Sequence, residues 1–289
     1  MSAVAGLKIG YVGLGNMGMP GAGHLFRAGA NLKVWNRSEG PAIEAQKAGL
    51  ARACSLQELA EHATGGILCL NLANTQAVES VVFGLGGLAQ FCDRETLFID
   101  FGTSSVLSTK EFAKRLRWVD APVSGGQTGA QAATLSIMAG GEPQNFEQAL
   151  PVLETVGKRI THLGPAGSGQ VAKLANQLIV AQTIDAVAQA IRLAELAGVD
   201  PNLLRDALLG GFAESRILQL HGDRMIRRDF QPGGRSELQL KDVRLICELA
   251  EDVGLQSETL EHCRKQWERL VHQLGFGQLD HSGLFKLYE

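Results

Sequence analysis

Short apolar runs such as LKIGYV, GILCL and TLFIDF alternate through the first half of the chain with stretches in which apolar residues recur at helical spacing. The runs predict strands over 7–12, 32–35, 66–70, 96–101, 118–121, 134–139 and 159–163. Helical patterns fill most of the gaps, for example 17–27, 40–48, 56–62 and 105–114. Strands that alternate with short helices predict an α/β domain, a Rossmann-like doubly wound parallel sheet, over residues 1–165. The pattern changes across 164–169. Residues 166–289 then show only helical periodicity and predict an all-α domain. Its first helix should run over 167–196 and stop at AGVDPN, where Gly198 ends one helix and Pro201 starts the next. Thirty residues of helix reach about 45 Å, more than a small domain is wide. Such a helix is expected either to be shared between domains or to be clasped by a second subunit, as in a homodimer or homotetramer. Further helices are predicted over 201–209, 215–225, 237–253 and 257–274.

Composition narrows the function classes. The 289 residues are 45% hydrophobic and 20% charged, with a formal net charge of −3, so core-forming material is ample. No basic stripe points to nucleic acid, and no Lys/Arg-rich amphipathic segment points to a membrane surface. No uncharged apolar stretch reaches the roughly 20 residues that a bilayer span needs. The N-terminal MSAVAGLKIGYVGLG runs straight into a strand and leaves no room for a signal peptide. Five scattered cysteines (54, 69, 92, 247 and 263) without C-x-x-C imply free thiols and no zinc. A cytoplasmic protein is expected.

The first strand enters GLGNMG, in which Gly13, Gly15 and Gly18 form G-x-G-x-x-G around Leu14, Asn16 and Met17. Gly13 suits a tight turn, Gly15 lets backbone approach a pyrophosphate, and Gly18 allows close helix–strand packing. Position between a strand and a helix makes this a dinucleotide-binding signature rather than a chance glycine match. The second strand ends in VWNRS. Asn36, Arg37 and Ser38 stand where an NAD site usually has a carboxylate on the ribose. Arg37 can pair with a 2′-phosphate and stack on adenine, with hydrogen bonds from Asn36 and Ser38. The expected cofactor is NADP, NADPH being preferred and NAD possible. A solvated surface arginine is the alternative reading of Arg37.

Four segments in register carry a resemblance: GLGNMGMPGAGHL, DAPVSGG at 120–126, GSGQVAKLANQ, and LKDVRLICELAEDVG from Leu240. Together they resemble the β-hydroxyacid dehydrogenase family, which includes 3-hydroxyisobutyrate dehydrogenases, tartronate semialdehyde reductases and glyoxylate/succinic semialdehyde reductases. The likeness runs nearly to the final DHSGLFKLYE. It implies a Rossmann-like domain followed by an all-helical one, with Lys173 as catalytic acid/base. It also implies that Ser124, Gly125 and Gly126 hold a substrate carboxylate and that Asn176 orients the substrate. Thr103 is implied to lie near the nicotinamide, Leu72, Ala73 and Asn74 to line the cofactor cleft, and Lys241 to close over the cofactor. The chain departs from the family at Gln177, where many relatives have Asn, at NLANT, where a Leu-Pro form is usual, and at Ala133, where glycine is common.

The chemistry can also be read from the residues. Lys173 and Asn176 share one face of a helix otherwise rich in Val, Leu, Ile and Ala. A lysine amine, with an ordinary pKa of about 10.4, is protonated at neutral pH and can donate to the oxygen that becomes negative when hydride reduces a carbonyl. Acting as base in the oxidative direction requires a lowered pKa, which an apolar setting supplies. Snorkelling to water is the alternative for Lys173. Ser124-Gly125-Gly126 can form an anion-binding nest for a carboxylate, or an ordinary turn. The seven histidines show no metal spacing. Asp280–His281–Ser282 resembles a triad only in composition, since adjacent residues cannot all converge on one atom. The charge run over 261–269 reads as a solvated helix face. The expectation is an NADPH-preferring oxidoreductase that interconverts a small carboxylate-bearing aldehyde or ketoacid with its hydroxyacid. An imine reductase, in which the lysine is usually replaced, and a non-catalytic NADP-binding protein are the alternatives.

Overall fold

The structure, a computed structural model, describes residues 2–289. The chain divides into two compact units, Met1–Lys173 and Leu174–Glu289. The first contains six parallel strands in the order β3-β2-β1-β4-β5-β6. These are β1 (Lys8–Val12), β2 (Asn31–Trp35), β3 (Ala51–Arg52), β4 (Ile67–Leu70), β5 (Leu97–Asp100) and β6 (Arg117–Asp120). Helices α1 (Gly18–Arg27), α2 (Glu39–Lys47), α3 (Leu56–His62), α4 (Thr75–Phe83) and α5 (Val106–Arg115) make the crossovers. The strand period of two distributes side chains to both faces. Ile67, Cys69, Leu97, Ile99 and Val119 enter one core, whereas Leu68, Leu70, Phe98 and Trp118 enter the other. Both faces of the sheet are therefore covered, as a parallel sheet requires.

Two of the expected strands leave this sheet. β8 (Leu135–Ala139) and β9 (Gly157–His162) join the short β7 (Val123–Ser124) in a separate three-stranded sheet. β7 and β8 are antiparallel, and β8 and β9 are parallel. Pro122 supplies no N–H after β6, and Gly125 and Gly126 at φ +136° and +61° turn the chain back. That reversal gives an antiparallel return in place of a crossover. Helices α6 (Gly126–Gln131) and α7 (Pro143–Val156) complete the region.

The long helix α8 (Ser168–Leu196) has 29 residues, about 43 Å of helix, and the division between units falls within it. Gly198, at φ +79°, lies two residues past the end of α8 and turns the chain away. Asp200 then caps α9 (Pro201–Leu208), with Pro201 in its first turn. The second unit has no strand of its own among the described residues, although Arg235 and Asp280 form an isolated antiparallel bridge. It contains α10 (Asp223–Arg227), α11 (Ser236–Val253) and α12 (Glu258–Glu268), with π-type turns at Leu218–Gly222 and Arg269–Gln273 and a final 3-10 segment, His281–Leu287. Ala181, Ile184, Ala188 and Ile191 of α8 share one stripe and enter a core with Met225, Val243, Trp267, Leu284 and Phe285. Among the described residues no helix is long and apolar enough to cross a membrane, and no three His, Cys, Asp or Glu side chains gather as a metal site.

Candidate active site

The order β2-β1-β4 places the loops after β1 and β4 side by side at the carboxyl ends of the strands, where open α/β sheets bind ligands. Gly13 has φ +91°, and a Cβ there would lie 2.2 Å from the Asn71 carbonyl oxygen. A Cβ on Gly18 would lie 1.9 Å from the Gly13 oxygen, whereas nothing lies within 4 Å of one on the exposed Gly15. Two glycines are thus needed for packing and the third leaves backbone open to a ligand. Met17 caps α1 without a side-chain bond, and no acidic residue occupies the first turn, so this helix start suits an anion. The cradle fits a dinucleotide pyrophosphate. Leu14 lies beneath it at 3% exposure, Asn16 is exposed and Met17 is half-buried.

The second-strand residues divide their roles. Asn36 Oδ1 accepts from Leu14 N–H at 2.9 Å, and its Nδ2 donates to the Ser38 carbonyl at 2.9 Å. Asn36 therefore braces the glycine turn. Arg37 and Ser38 are exposed, and Arg37 makes no ion pair among the described residues. In the loop after β4, Leu72 is half-buried and Ala73 exposed, while Asn74 Oδ1 accepts from Ala77 N–H at 2.8 Å and caps α4.

At the ends of β5 and β6, Asp100 and Asp120 are in register, and both are fully buried. Asp100 accepts from Gly102 N–H at 2.9 Å and Ser104 Oγ–H at 3.0 Å. Buried Gln170 donates from Nε2 to the Gly102 carbonyl at 2.9 Å and accepts from Ser104 N–H at 3.1 Å. Half-buried Thr103 lies between these two anchor points. Asp120 accepts from Gly167 N–H at 2.7 Å and Gln170 N–H at 2.8 Å, capping the start of α8. Burial pushes its carboxyl up to about 6, and the hydrogen bonds from Gly167 and Gln170 oppose the rise. The spacing of GSG follows from this cap, because a Cβ on Gly169 would lie 2.3 Å from the Met138 oxygen and 2.8 Å from Asp120. Lys173, at 9% exposure, stands three residues beyond Gln170 on the same helix.

Half-buried Ser124 leads into Gly125 and Gly126, both at positive φ, a backbone that residues with a Cβ rarely adopt. In the second unit, Asn176 Nδ2 donates to Gln177 Oε1 at 2.9 Å, and Gln177 Nε2 donates to Asp242 Oδ2 at 2.6 Å. Lys241 Nζ lies 2.8 Å from Asp242 Oδ1. Asn176 and Lys241 are therefore joined through Gln177 and Asp242. Asp280 is a hub of hydrogen bonds for its own unit, and its neighbour His281 is pushed down to about 4, chiefly by burial.

Apolar periodicity gave no signal for Asp100, Gln170 or Asp242. A carboxylate closing an apolar strand, as in WVD before APVSGG, was the available clue, since such a group needs donors wherever it is buried.

Known proteins resemble this chain along nearly its whole length. The NAD binding domain of 6-phosphogluconate dehydrogenase matches residues 8–164, and the NAD-binding region of NADP-dependent 3-hydroxyisobutyrate dehydrogenase matches 167–288. A 2-hydroxy-3-oxopropionate reductase of Escherichia coli is 39% identical, covering 98% of this chain and 97% of that protein. The chain belongs to the β-hydroxyacid dehydrogenase family. As a β-hydroxyacid dehydrogenase it is an oxidoreductase that acts on CH–OH groups with a nicotinamide cofactor. A 3-hydroxyisobutyrate dehydrogenase of Mycobacterium tuberculosis, solved with L-serine, matches with a TM-score of 0.86 at 28% identity, covering 98% of this chain and 99% of that one. An imine reductase from Pseudomonas matches at 18% identity with a TM-score of 0.59, over 98% of this chain and 100% of that one, and shares the β-hydroxyacid dehydrogenase fold.

Proposed function

We propose that this dehydrogenase is an NADPH-preferring reductase of small carboxylate-bearing aldehydes, with 2-hydroxy-3-oxopropionate (tartronate semialdehyde) first among glyoxylate and succinic semialdehyde. The observation that carries the proposal is a buried lysine one helical turn beyond Gln170, whose amide grips the loop that carries Thr103. The likeness to the Escherichia coli reductase supports the substrate order. Residues 1–165 serve as the NADP-binding domain and 166–289 as the substrate and dimerisation domain.

When bound, NADPH supplies a hydride to the carbonyl carbon. Lys173 Nζ–H donates a proton to the oxygen as negative charge develops there, and the amine regains a proton from solvent. Ser124 and the N–H groups of Gly125 and Gly126 hold the substrate carboxylate, and Asn176 orients the carbonyl end. With the cofactor bound, Thr103 would face the nicotinamide, Leu72, Ala73 and Asn74 would line its cleft, and Lys241 would hold it from the side of α11. Gly13, Leu14, Gly15, Asn16, Met17 and Gly18 cradle the pyrophosphate. Arg37 and Ser38 take the 2′-phosphate, with Asn36 holding the turn behind them.

NADPH oxidation with the three aldehydes and a set of cyclic imines tests this reading. Lys173→Ala should lower aldehyde kcat by roughly 10²- to 10⁴-fold with cofactor binding retained. Turnover of imines alone, or wild-type kcat in Lys173→Ala, would reject it. Arg37→Ala should weaken NADPH binding by roughly tenfold or more and leave NADH nearly unchanged, whereas equal losses would remove Arg37 from the 2′-phosphate. A homodimer or homotetramer is supported by exposed Ile179, Leu193, Leu196 and Leu203, all 67–71% exposed in the second unit. Light scattering that reports a monomer at micromolar concentration counts against it. Free cysteines support a cytoplasmic location.

A further inference from the structure

Gln170 is fully buried, and each atom of its amide that could be left without a partner has one across a long sequence separation. Its Oε1 takes the Ser104 N–H, its Nε2 gives a hydrogen to the Gly102 carbonyl, and its own backbone N–H is held by Asp120. Asp100 grips the same loop from beneath through Gly102 N–H and Ser104 Oγ–H. The loop that carries Thr103 is thus fastened to one buried carboxylate, Asp100, the first turn of α8 to another, Asp120, and the Gln170 amide ties the two together. A methionine-like side chain would fill this volume equally well without paired hydrogen bonds, so filling space does not account for an amide here.

We propose that Gln170 is a positioning residue, which locks the loop carrying Thr103 to the helical turn before Lys173 and so fixes the distance between the site of hydride delivery and the proton donor. The inference rests on the assignment of Lys173 as that donor. Asp120 sets where along its axis the helix begins, and Gln170 sets its distance from the loop. Lys173 follows Gln170 by three residues, so a shift or rotation of that turn carries the amine with it. Displacements of about 1 Å at such a site are enough to lower turnover roughly 10²-fold.

The test is Gln170→Met, with Val152→Ala on α7 as a variant that destabilises the same unit from a buried apolar position. In the cofactor-free protein, amide exchange at Ser104 should accelerate by roughly tenfold or more, because its acceptor is gone, while Gly102, still held by Asp100, changes far less. With 2-hydroxy-3-oxopropionate, kcat should fall roughly 10- to 100-fold while the NADPH dissociation constant stays within about threefold. The kinetic isotope effect from C4-deuterated NADPH should rise as the chemical step becomes slower. Val152→Ala should lower Tm and leave kcat and the Ser104 amide close to wild type. Should Gln170→Met not fold, Gln170→Leu, which likewise neither accepts from Ser104 nor donates to Gly102, carries the same measurements.

Faster Ser104 exchange with wild-type kcat overturns the proposal, and so does a kcat loss with unchanged exchange. A fall in kcat that tracks Tm equally in both variants also overturns it and makes Gln170 a packing residue. If Lys173→Ala retains full activity, the assignment of the proton donor fails by itself, and the exchange measurement still decides whether Gln170 couples the loop to the helix.

Discussion

Asp120 in the first unit and Asp280 in the second are both essentially inaccessible to solvent, yet their carboxyls move in opposite directions. Asp120 meets only backbone N–H groups, and burial raises it to about 6. For Asp280, burial pushes the same way, but His221, Ser282 and the Gly234 N–H outweigh it and hold the carboxyl well below its ordinary range. Arg224 Nη1 adds a contact at 2.8 Å, and His221 Nδ1 lies at 3.3 Å. Burial alone therefore does not decide whether a carboxylate is charged. The donors around it do. The difference also follows the tasks of the two groups. Asp120 closes one helix start, whereas Asp280 ties the terminal segment to Gly233, Gly234 and Ser236.

The largest effect should come from breaking the ionised member of the pair. Asp280→Asn keeps the shape but removes the charge that faces Arg224. Leaving one partner of a buried ion pair behind costs about 3–5 kcal/mol. Chemical denaturation monitored by Trp267, buried in the same unit, should show a loss near the lower end of that range. A loss under about 1 kcal/mol would mean that the N–H donors alone sustain the hub.

Asp120→Asn should cost less, about 1–2 kcal/mol, because one acceptor survives and no cation is abandoned. Its signature is the pH dependence. A carboxyl raised in the fold contributes stability that is complete below its unfolded pKa of about 4 and lost as pH rises through about 6. From pH 5 to pH 7, wild type should therefore lose about 1 kcal/mol relative to Asp120→Asn. Asp280 has the opposite sign: its contribution is present above about pH 4 and disappears only as pH falls through its depressed folded value. Denaturant midpoints at several pH values separate the two groups, and a pH-independent difference between wild type and Asp120→Asn would refute the assignment.

The same contrast explains what could be read in the chain itself. Strand alternation, the glycine turn after β1 and the helix over Ser168–Leu196 announce themselves because each depends on local spacing or on steric demands at single positions. Lys173 and Asn176 can be placed on one helix, three residues apart, from the sequence alone, and both lie on α8. The separate sheet of β7, β8 and β9 was hidden, since alternation identifies a strand without identifying its neighbour. Asp100, Asp120 and Gln170 were hidden for a related reason. Gln170 meets Gly102 across 68 positions, and Asp120 meets Gly167 across 47. Buried polar groups are satisfied by topology, which no local pattern records.

The smallest predicted effect compares two backbones of nearly equal strain. Ala133 in the first unit and Arg228 in the second are the non-glycine residues with positive φ among those described, at 53° and 55°. A left-handed conformation costs a residue with a Cβ about 1 kcal/mol relative to glycine. Ala133 follows the end of α6, and its half-buried methyl can form no hydrogen bond or ion pair to offset the strain. Ala133→Gly should therefore stabilise the protein by about 0.5–1 kcal/mol, part of the relief being cancelled by the greater freedom of glycine in the unfolded chain. Arg228 has the same φ but different surroundings: its guanidinium reaches Glu195 at 2.9 Å and Glu289 at 2.8 Å, and lies 4.3 Å from the centre of the Phe285 ring. Arg228→Gly removes those contacts along with the strain, so it should give no gain and a net loss of up to about 1 kcal/mol. Thermal unfolding of the two variants decides the matter. Equal gains from both would mean that the Arg228 contacts contribute nothing, and the contrast between bare and partnered groups would then hold for the carboxylates alone.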